Sequence, residues 1–330
     1  MTRRSKQTLA AAVLLLFAGG VLVSRRAQRS VPLRYAHIPE ETRNFIRDLG
    51  RLGGDVGARF VEEPVEEPWR DETNEGEDAG NGFHKLEDEN FIVYYHNEGE
   101  GPARARLVME AARAGVARLS ALFGKYYSPR EANGRKLAMY VCRDRVEYRR
   151  LSTTENPESI AVTAMLFSPT GALCRGIFYA PESFERAGGA RLGDEEVRRT
   201  VWHEMAHYVY FSSLDLSRNL SPPMWVTEGV AEYASGNSAR LNEVRLPRLI
   251  PLRDFESPRL RGKWLGDAYW IGYTAFVYFE RRYTAERVRS FLQLSYRNPT
   301  RDSIEQSTGD TFEEFDRDWQ AALPALAAHP

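Results

Sequence analysis

The chain has 330 residues, of which 42% are hydrophobic and 28% are charged, and its formal net charge at pH 7 is -1. This length and composition predict one large or two modest globular domains, and they exclude a fibrous or wholly disordered protein. Because the net charge is close to zero and the basic residues are not gathered in one segment, the sequence predicts no nucleic-acid partner.

The N-terminal segment has the layout of an export signal or a membrane anchor. Arg3, Arg4 and Lys6 precede an uncharged apolar run from Leu9 to Val23. The run is shorter than the roughly 20 residues of a membrane span, which favours a signal peptide, whereas the lack of a small-x-small cleavage pattern leaves a retained anchor open. We therefore expect residues 1–29 to be a signal peptide or anchor, and the rest of the chain to be exported to the periplasm or cell envelope. The alternative is a hydrophobic N-terminal helix of a cytosolic protein.

Residues 30–82 are predicted to be a membrane-proximal segment followed by an acidic flexible linker. A short helical pattern extends from Ile38 to Leu49. From Glu62 to Glu89 there are twelve acidic residues against two basic ones, with interspersed proline and glycine. Such a segment cannot bury enough apolar surface to offset the entropy of ordering it, so we interpret it as solvated linker.

The folded domain is predicted over residues 83–325, with strands first and helices afterwards. The predicted strands span residues 91–95, 137–142 and 177–179, and the predicted helices span residues 103–123, 145–151, 195–211, 224–234, 268–282, 285–296 and 312–323. Gly124 and Gly236 are placed to end helices, and Asp194 to cap one at its N-terminus. This order predicts an α+β fold with a small mixed sheet in the N-terminal half and a helical C-terminal half.

A metal site is predicted on the helix of residues 195–211. His203 and His207 are four residues apart, so both imidazoles project from one helix face and can bind one cation. A catalytic zinc has three protein ligands and lowers the pKa of a water toward about 7. Glu204 lies between the histidines and is placed to accept the proton of that water as general base. The alternative is three polar residues on a solvated helix face.

A second motif, from Trp225 to Tyr233, supplies carboxylates for the same site. Glu228 and Glu232 are four residues apart and share a helix face. One can complete a zinc triad, and the other can accept the second N–H of a ligand histidine and fix its tautomer. Gly229 is expected to let this helix approach the histidine helix closely. Taken alone, either carboxylate would be ordinary surface charge.

With these motifs the chain resembles the gluzincin clan of metallopeptidases, especially bacterial proteins with a peptidase MA-like domain, and more distantly thermolysin and the zinc aminopeptidases. The resemblance covers roughly Phe83 to Leu323 and includes the ending Gly309–Phe315. It implies a zincin-like fold, Zn²⁺ as cofactor and a peptide or protein as substrate. It also implies that Glu228 is the third metal ligand and Glu232 the partner of a histidine.

The same resemblance implies an oxyanion-stabilising tyrosine. Tyr269-Trp270-Ile271-Gly272 is similar to the aminopeptidase Tyr-x-Lys-Gly segment, so Tyr269 is the first candidate and Tyr273 the second. Aromatic residues at helical spacing are the common content of a core, which is the alternative. No Gly-Ala-Met-Glu-Asn-like segment is present, so strict aminopeptidase activity is not implied. We expect the segment Met165 to Tyr179 to form the substrate edge of the cleft.

Three functions stay open on the sequence. The first is an exported zinc peptidase that uses Glu204 to activate water, and the second is a zinc-binding envelope module without catalysis. The third is an amidase that acts on cell-wall material with the same chemistry. Cys142 and Cys174 could form a disulfide in an exported chain, and two buried free thiols are the alternative.

Overall fold

In the part of the chain that the computed structural model describes, six strands form one mixed sheet. The structure describes residues 38–52, 56–60, 82–124, 135–168, 171–186, 189–244, 249–256 and 265–328, except the single residues 153, 155, 157 and 219. The strands are β1 (Val56–Phe60), β2 (His84–Glu87), β3 (Phe91–Tyr95), β4 (Leu137–Val141), β5 (Ala161–Ser168) and β6 (Gly171–Tyr179). Their order across the sheet is β1-β5-β6-β4-β3-β2.

The strand pairing combines both orientations. Three pairs are parallel, namely β1 with β5, β4 with β6 and β3 with β4, and two are antiparallel, namely β5 with β6 and β2 with β3. Every residue of β5 is buried. Strand β5 was not predicted, and the predicted strand Ile177–Tyr179 is only the end of β6. A strand covered on both faces has a continuous apolar run without alternation, which hides it from a periodicity argument.

Helices lie between the strands and form most of the described chain after the last strand. They are α1 (Glu40–Leu52), α2 (Gly101–Phe123), α3 (Arg145–Ser152), α4 (Asp194–Ser213), α5 (Met224–Ser235), α6 (Leu265–Tyr283), α7 (Ala285–Ser295), α8 (Thr300–Thr308) and α9 (Phe312–Ala328). Short 3-10 turns occur at Pro181–Ser183, Ser238–Glu243 and Leu252–Glu256. The fold is therefore mixed α/β, with the mixed sheet in the N-terminal half and a helical C-terminal half. The prediction of strands first and helices afterwards holds only in part, because α2 and α3 lie between strands of the sheet.

The helix ends follow local chemistry. Gly124 and Gly236 end α2 and α5 in the left-handed conformation, with φ of 78° and 70°, as predicted. The predicted N-cap Asp194 is wrong by one position, because Gly193 is the N-cap of α4. The Gly193 N–H donates to the Glu196 carboxylate at 2.9 Å, and this bond fixes where the helix begins.

Helix α4 lies in the middle of the fold. It packs on β5 and β6 on one side and on α2 and α5 on the others. Trp202 holds it to α2, because its indole N–H donates to the Ala111 carbonyl at 2.8 Å. The residues of α4 from His203 to Phe211 are all buried. A polar triplet in such a helix cannot be solvated surface, so the alternative of a solvated face is wrong.

Helices α5 and α6 cross at a pair of glycines. A Cβ atom placed on Gly229 would lie 2.7 Å from the Cα of Gly272, and one placed on Gly272 would lie 2.4 Å from the Trp225 carbonyl oxygen. These separations are too short for any side chain, so the two backbones touch. The expectation that Gly229 serves an approach to the histidine helix is wrong, since the helix that it admits is α6.

The sheet includes chain from ahead of Phe83, the expected start of the domain. Strand β1 pairs with β5, and β2 lies inside the segment Glu62–Glu89 that was interpreted as linker. Helix α1 falls where the pattern from Ile38 to Leu49 predicts it. The predicted signal or anchor at residues 1–29 and most of the acidic segment lie outside the described residues. Within the described part of the chain, no helix is both long enough and apolar enough to cross a membrane.

Candidate metal centre

The histidine pair on α4 faces inward from one side of the helix. The Nε2 atoms of His203 and His207 lie 3.0 Å apart, and the two rings are nearly perpendicular at 81°. His207 is fully buried, and His203 is buried but reaches a cleft. The i, i+4 spacing on a regular helix explains why both nitrogens point to one place.

Glu228 on α5 meets the two imidazoles. Its Oε2 lies 3.5 Å from His203 Nε2 and 3.3 Å from His207 Nε2. One ligand atom from each of the three residues lies within 4.8 Å of the other two, and all three residues are buried. Burial alone would raise the pKa of Glu228, but the nearby His207 and His203 outweigh burial and lower that pKa. The carboxylate is therefore ionised at neutral pH.

This donor set fits a divalent metal ion. Among the described residues, Glu228 Oε2 has no hydrogen-bond partner although it is fully buried. A buried carboxylate oxygen without a hydrogen bond is costly unless a cation meets it. Two imidazole nitrogens and one carboxylate oxygen converge here on the same small volume. Such mixed nitrogen and oxygen sets suit transition-series cations better than magnesium or calcium, which prefer oxygen ligands only.

Glu232 lies behind His203 rather than in the triad. Its Oε1 is 3.5 Å from His203 Nδ1, the nitrogen that faces away from Glu228. The carboxylate is itself held by Asn237, whose Nδ2 donates to Oε2 at 2.9 Å, and by Arg240, whose Nη2 lies 2.8 Å from Oε1. Of the two carboxylates of α5, Glu228 thus lies on the Nε2 side of His203 and Glu232 on its Nδ1 side.

Glu204 lines the cleft beside His203, and a side chain of the sheet donates a hydrogen bond to it. The hydroxyl of Thr163 on β5 lies 2.7 Å from Glu204 Oε2 and 2.8 Å from the Glu204 carbonyl oxygen, so it donates to this residue. Thr163 is fully buried. The sequence gives no sign of this contact, because Thr163 belongs to the strand that was not predicted.

The cleft has a volume of about 330 Å³. Its walls include Ile160 and Ala161 at the start of β5, the α4 residues Arg199, His203 and Glu204, and Asn237 and Arg240 after α5. Among the described residues, none from Met165 to Tyr179 lines it. The expected substrate edge is therefore wrong in position, because the cleft opens at the start of β5 and not along the β5–β6 hairpin.

Two tyrosines of α6 differ in their relation to the histidines. The Tyr269 ring stacks on His203 with centroids 6.1 Å apart and planes 21° apart. The Arg240 guanidinium lies 5.1 Å from the centre of the Tyr269 ring. Tyr273 is buried, and its pKa is raised by burial and by the charge of Glu232. Tyr269 is thus the tyrosine in contact with a predicted ligand.

The two cysteines of the chain do not form a disulfide bond. Cys142 and Cys174 are both free thiols. Burial raises the pKa of Cys142 well above its usual value and that of Cys174 to about 12. A raised pKa disfavours the thiolate of both residues, which is the nucleophilic form.

Comparison with known proteins adds no assignment to this geometry. No protein-family model matches the chain, and no curated protein matches it.

Proposed function

We propose that the chain is a zinc-dependent peptidase of the gluzincin type with a zincin-like fold. His203, His207 and Glu228 hold the zinc, and Glu204 is the general base. The observation that supports this most is the convergence of two separate helices: α4 and α5 bring three metal-binding atoms within 4.8 Å of one another, and Glu204 faces the adjoining cleft. The substrate is a peptide or protein segment that enters this cleft.

Each residue has a distinct part in hydrolysis. Zinc held by these residues would supply Lewis acidity toward the scissile carbonyl and the attacking water. Glu204 accepts the proton of that water and returns it to the departing amine nitrogen. Thr163 keeps the Glu204 carboxylate in one orientation through its hydrogen bond. Tyr269 directs its O–H at the negative charge that develops on the carbonyl oxygen.

The metal ligands have their own support. Glu232 Oε1 lies 3.5 Å from His203 Nδ1, so a proton on Nδ1 would face this carboxylate and would leave Nε2 as the basic nitrogen for the metal. This would fix one of the two neutral tautomers of His203. We also propose that the chain works outside the cytoplasm, in the periplasm or cell envelope, on the strength of the basic and apolar pattern of residues 1–29.

The test uses the full chain and three variants. The parent protein is expected to bind equimolar zinc by elemental analysis and to cleave a dye-labelled denatured protein. Glu204→Gln should keep the zinc and lose turnover by about 10²–10⁴-fold, whereas His203→Ala should lose the zinc. Glu195→Gln is the matched control, because Glu195 lies on the same helix but is paired with Arg198 and Arg199 at the surface.

Other outcomes would assign other functions. Full turnover by zinc-loaded Glu204→Gln would show that Glu204 is not the general base. A zinc-loaded parent that cleaves muropeptides but no protein would move the same chemistry to a cell-wall amide. A zinc-loaded parent that cleaves neither would leave a non-catalytic binding module.

A further inference from the structure

Arg240 joins several side chains behind the proposed metal site. It lies in the 3-10 turn Ser238–Glu243, which follows α5. Its Nη2 lies 2.8 Å from Glu232 Oε1, and its Nη1 lies 2.8 Å and 2.9 Å from the two carboxylate oxygens of Glu243. The guanidinium is mostly buried, with 24% of the side chain exposed. Arg240 therefore occupies one fixed position between two carboxylates.

Two routes lead from Arg240 to His203. The first passes through Glu232, whose Oε1 contacts both the Arg240 guanidinium and His203 Nδ1. The second passes through Tyr269, whose ring lies near the guanidinium and stacks on the His203 ring. One guanidinium thus contacts both groups that the structure places against the back and the face of this imidazole.

The orientation of Glu232 depends on its partners. Its side chain is only 4% exposed, so its protein partners largely determine its position. Asn237 donates to Oε2, which leaves Oε1 for Arg240 and His203. A buried carboxylate that loses a bonded cation moves toward other donors, because an unpaired buried charge is costly. Loss of Arg240 would therefore release Glu232 from His203.

We propose that Arg240 is a positioning residue for the metal site: it fixes Glu232 and Tyr269 against His203 and so maintains metal affinity without being a ligand. The inference depends on the metal site of the proposed function but not on peptidase activity. Partners of metal-bound histidines contribute about 10–100-fold in metal affinity. An effect of that size is expected here through Glu232.

The experiment measures zinc affinity of the full chain by competition with a chromogenic chelator. Arg240→Met keeps the length of the side chain and removes the charge, and it should weaken zinc binding about 10–100-fold. Arg240→Lys should recover part of the loss, because an ammonium can still bind Glu232. Arg301→Met is the matched control, since Arg301 also pairs with a glutamate, Glu313, and covers an aromatic ring, Phe312. Arg301→Met should leave zinc affinity unchanged.

A second comparison separates positioning from general stability. In a Glu232→Gln background, adding Arg240→Met should weaken zinc binding less than about threefold further, because the route through Glu232 is already broken and only the contact with Tyr269 remains to be lost. The proposal would be overturned if Arg240→Met and Arg301→Met had equal zinc affinity. It would also be overturned if the loss of affinity in the double variant equalled the product of the losses in Glu232→Gln and Arg240→Met. A parent chain that binds zinc but hydrolyses nothing would refute the peptidase and leave the role of Arg240 intact. A parent without zinc affinity would refute both.

Discussion

At the scale of single residues, the hydrogen bond from Thr163 to Glu204 joins the sheet to the proposed general base. Its oxygen-to-oxygen distance is 2.7 Å, and both side chains are buried. Hydrogen bonds to charged groups contribute about 1.5–3 kcal/mol. A free energy of that order, applied to the orientation of the base, corresponds to about tenfold or more in rate.

Replacement of Thr163 tests this contact. Thr163→Val keeps the shape and removes the hydroxyl, so we expect kcat to fall about tenfold with zinc content unchanged. Thr163→Ser restores the donor and should restore most of the kcat. Steady-state kinetics with metal analysis of each variant decides the matter. Equal kcat in the valine and serine variants would show that the hydroxyl has no part in catalysis.

Tyr269 and Tyr273 offer a matched pair on one helix. Only Tyr269 stacks on His203, whereas Tyr273 is buried near Glu232. Tyr269→Phe should lower kcat by about 10²-fold if its O–H stabilises the developing oxyanion. Tyr273→Phe should change kcat little. A reversed result in the same assay would give the oxyanion role to Tyr273, and unchanged kcat in both would make both tyrosines core residues.

At the scale of elements, the crossing of α5 and α6 fixes where Glu228 and Tyr269 stand relative to each other. The two helices touch through Gly229 and Gly272, with no side chain between them. Any Cβ at this crossing must push the backbones apart, because the neighbouring atoms belong to the main chain and cannot rotate away.

Alanine substitution measures the cost of separating these helices. Gly272→Ala is expected to destabilise the protein by about 3 kcal/mol and to weaken zinc binding. Gly266→Ala on the same helix is the control, since a Cβ there meets nothing within 4 Å, and it should be neutral or slightly stabilising. Urea unfolding of both variants gives the comparison. Equal midpoints would mean that the crossing relaxes without cost.

The elements also show which parts of this fold are visible in its sequence. Helices α2, α4, α5 and α6 were predicted because their apolar spacing and end residues are local signals. Strand β5 has no alternation, and α8 (Thr300–Thr308) buries Ser303 and Ser307 along with Ile304, so its pattern is too polar to be recognised. Burial on both faces and burial of small polar residues are tertiary effects that no local window contains.

The residues of the candidate site also fall into two groups, those that the sequence predicts and those that it does not. His203, Glu204, His207, Glu228 and Glu232 lie on two helices, and helical spacing alone predicts which of them share a face. Thr163, Asn237 and Arg240 come from a strand and a turn. Their places depend on how β5, α4 and the segment after α5 pack, so nothing in their local sequence indicates them.

At the scale of the whole molecule, the proposed metal site lies between α4 and α5, which pack directly on each other and on further helices. Trp202 ties α4 to α2, and the glycine crossing ties α5 to α6. Glu228 Oε2 lies within 3.5 Å of an imidazole nitrogen of each histidine in the metal-free protein as well. The metal-free chain should therefore stay folded, and zinc should add stability to a preformed site.

Metal removal tests that expectation. A chelator should lower Tm by about 5–15 °C with little change in circular dichroism, because a ligand at 100–1,000 times its Kd contributes about 3–4 kcal/mol. Zinc should restore Tm and magnesium should not, since magnesium requires oxygen ligands. Loss of helical signal on chelation would show instead that the metal is needed for folding.

The residues around Glu228 lie close together along the chain, which bears on how related chains could lose the site. Thr227–Arg240 is a single contiguous stretch, and it contains the proposed ligand Glu228, its neighbour Glu232, and the amide and guanidinium that orient Glu232. A related chain could lose Arg240 by one substitution and still display both recognisable motifs. Such a chain would contain both motifs, but we expect it to bind metal weakly. The residue at position 240 would therefore distinguish related chains that bind metal tightly from those that have lost tight binding.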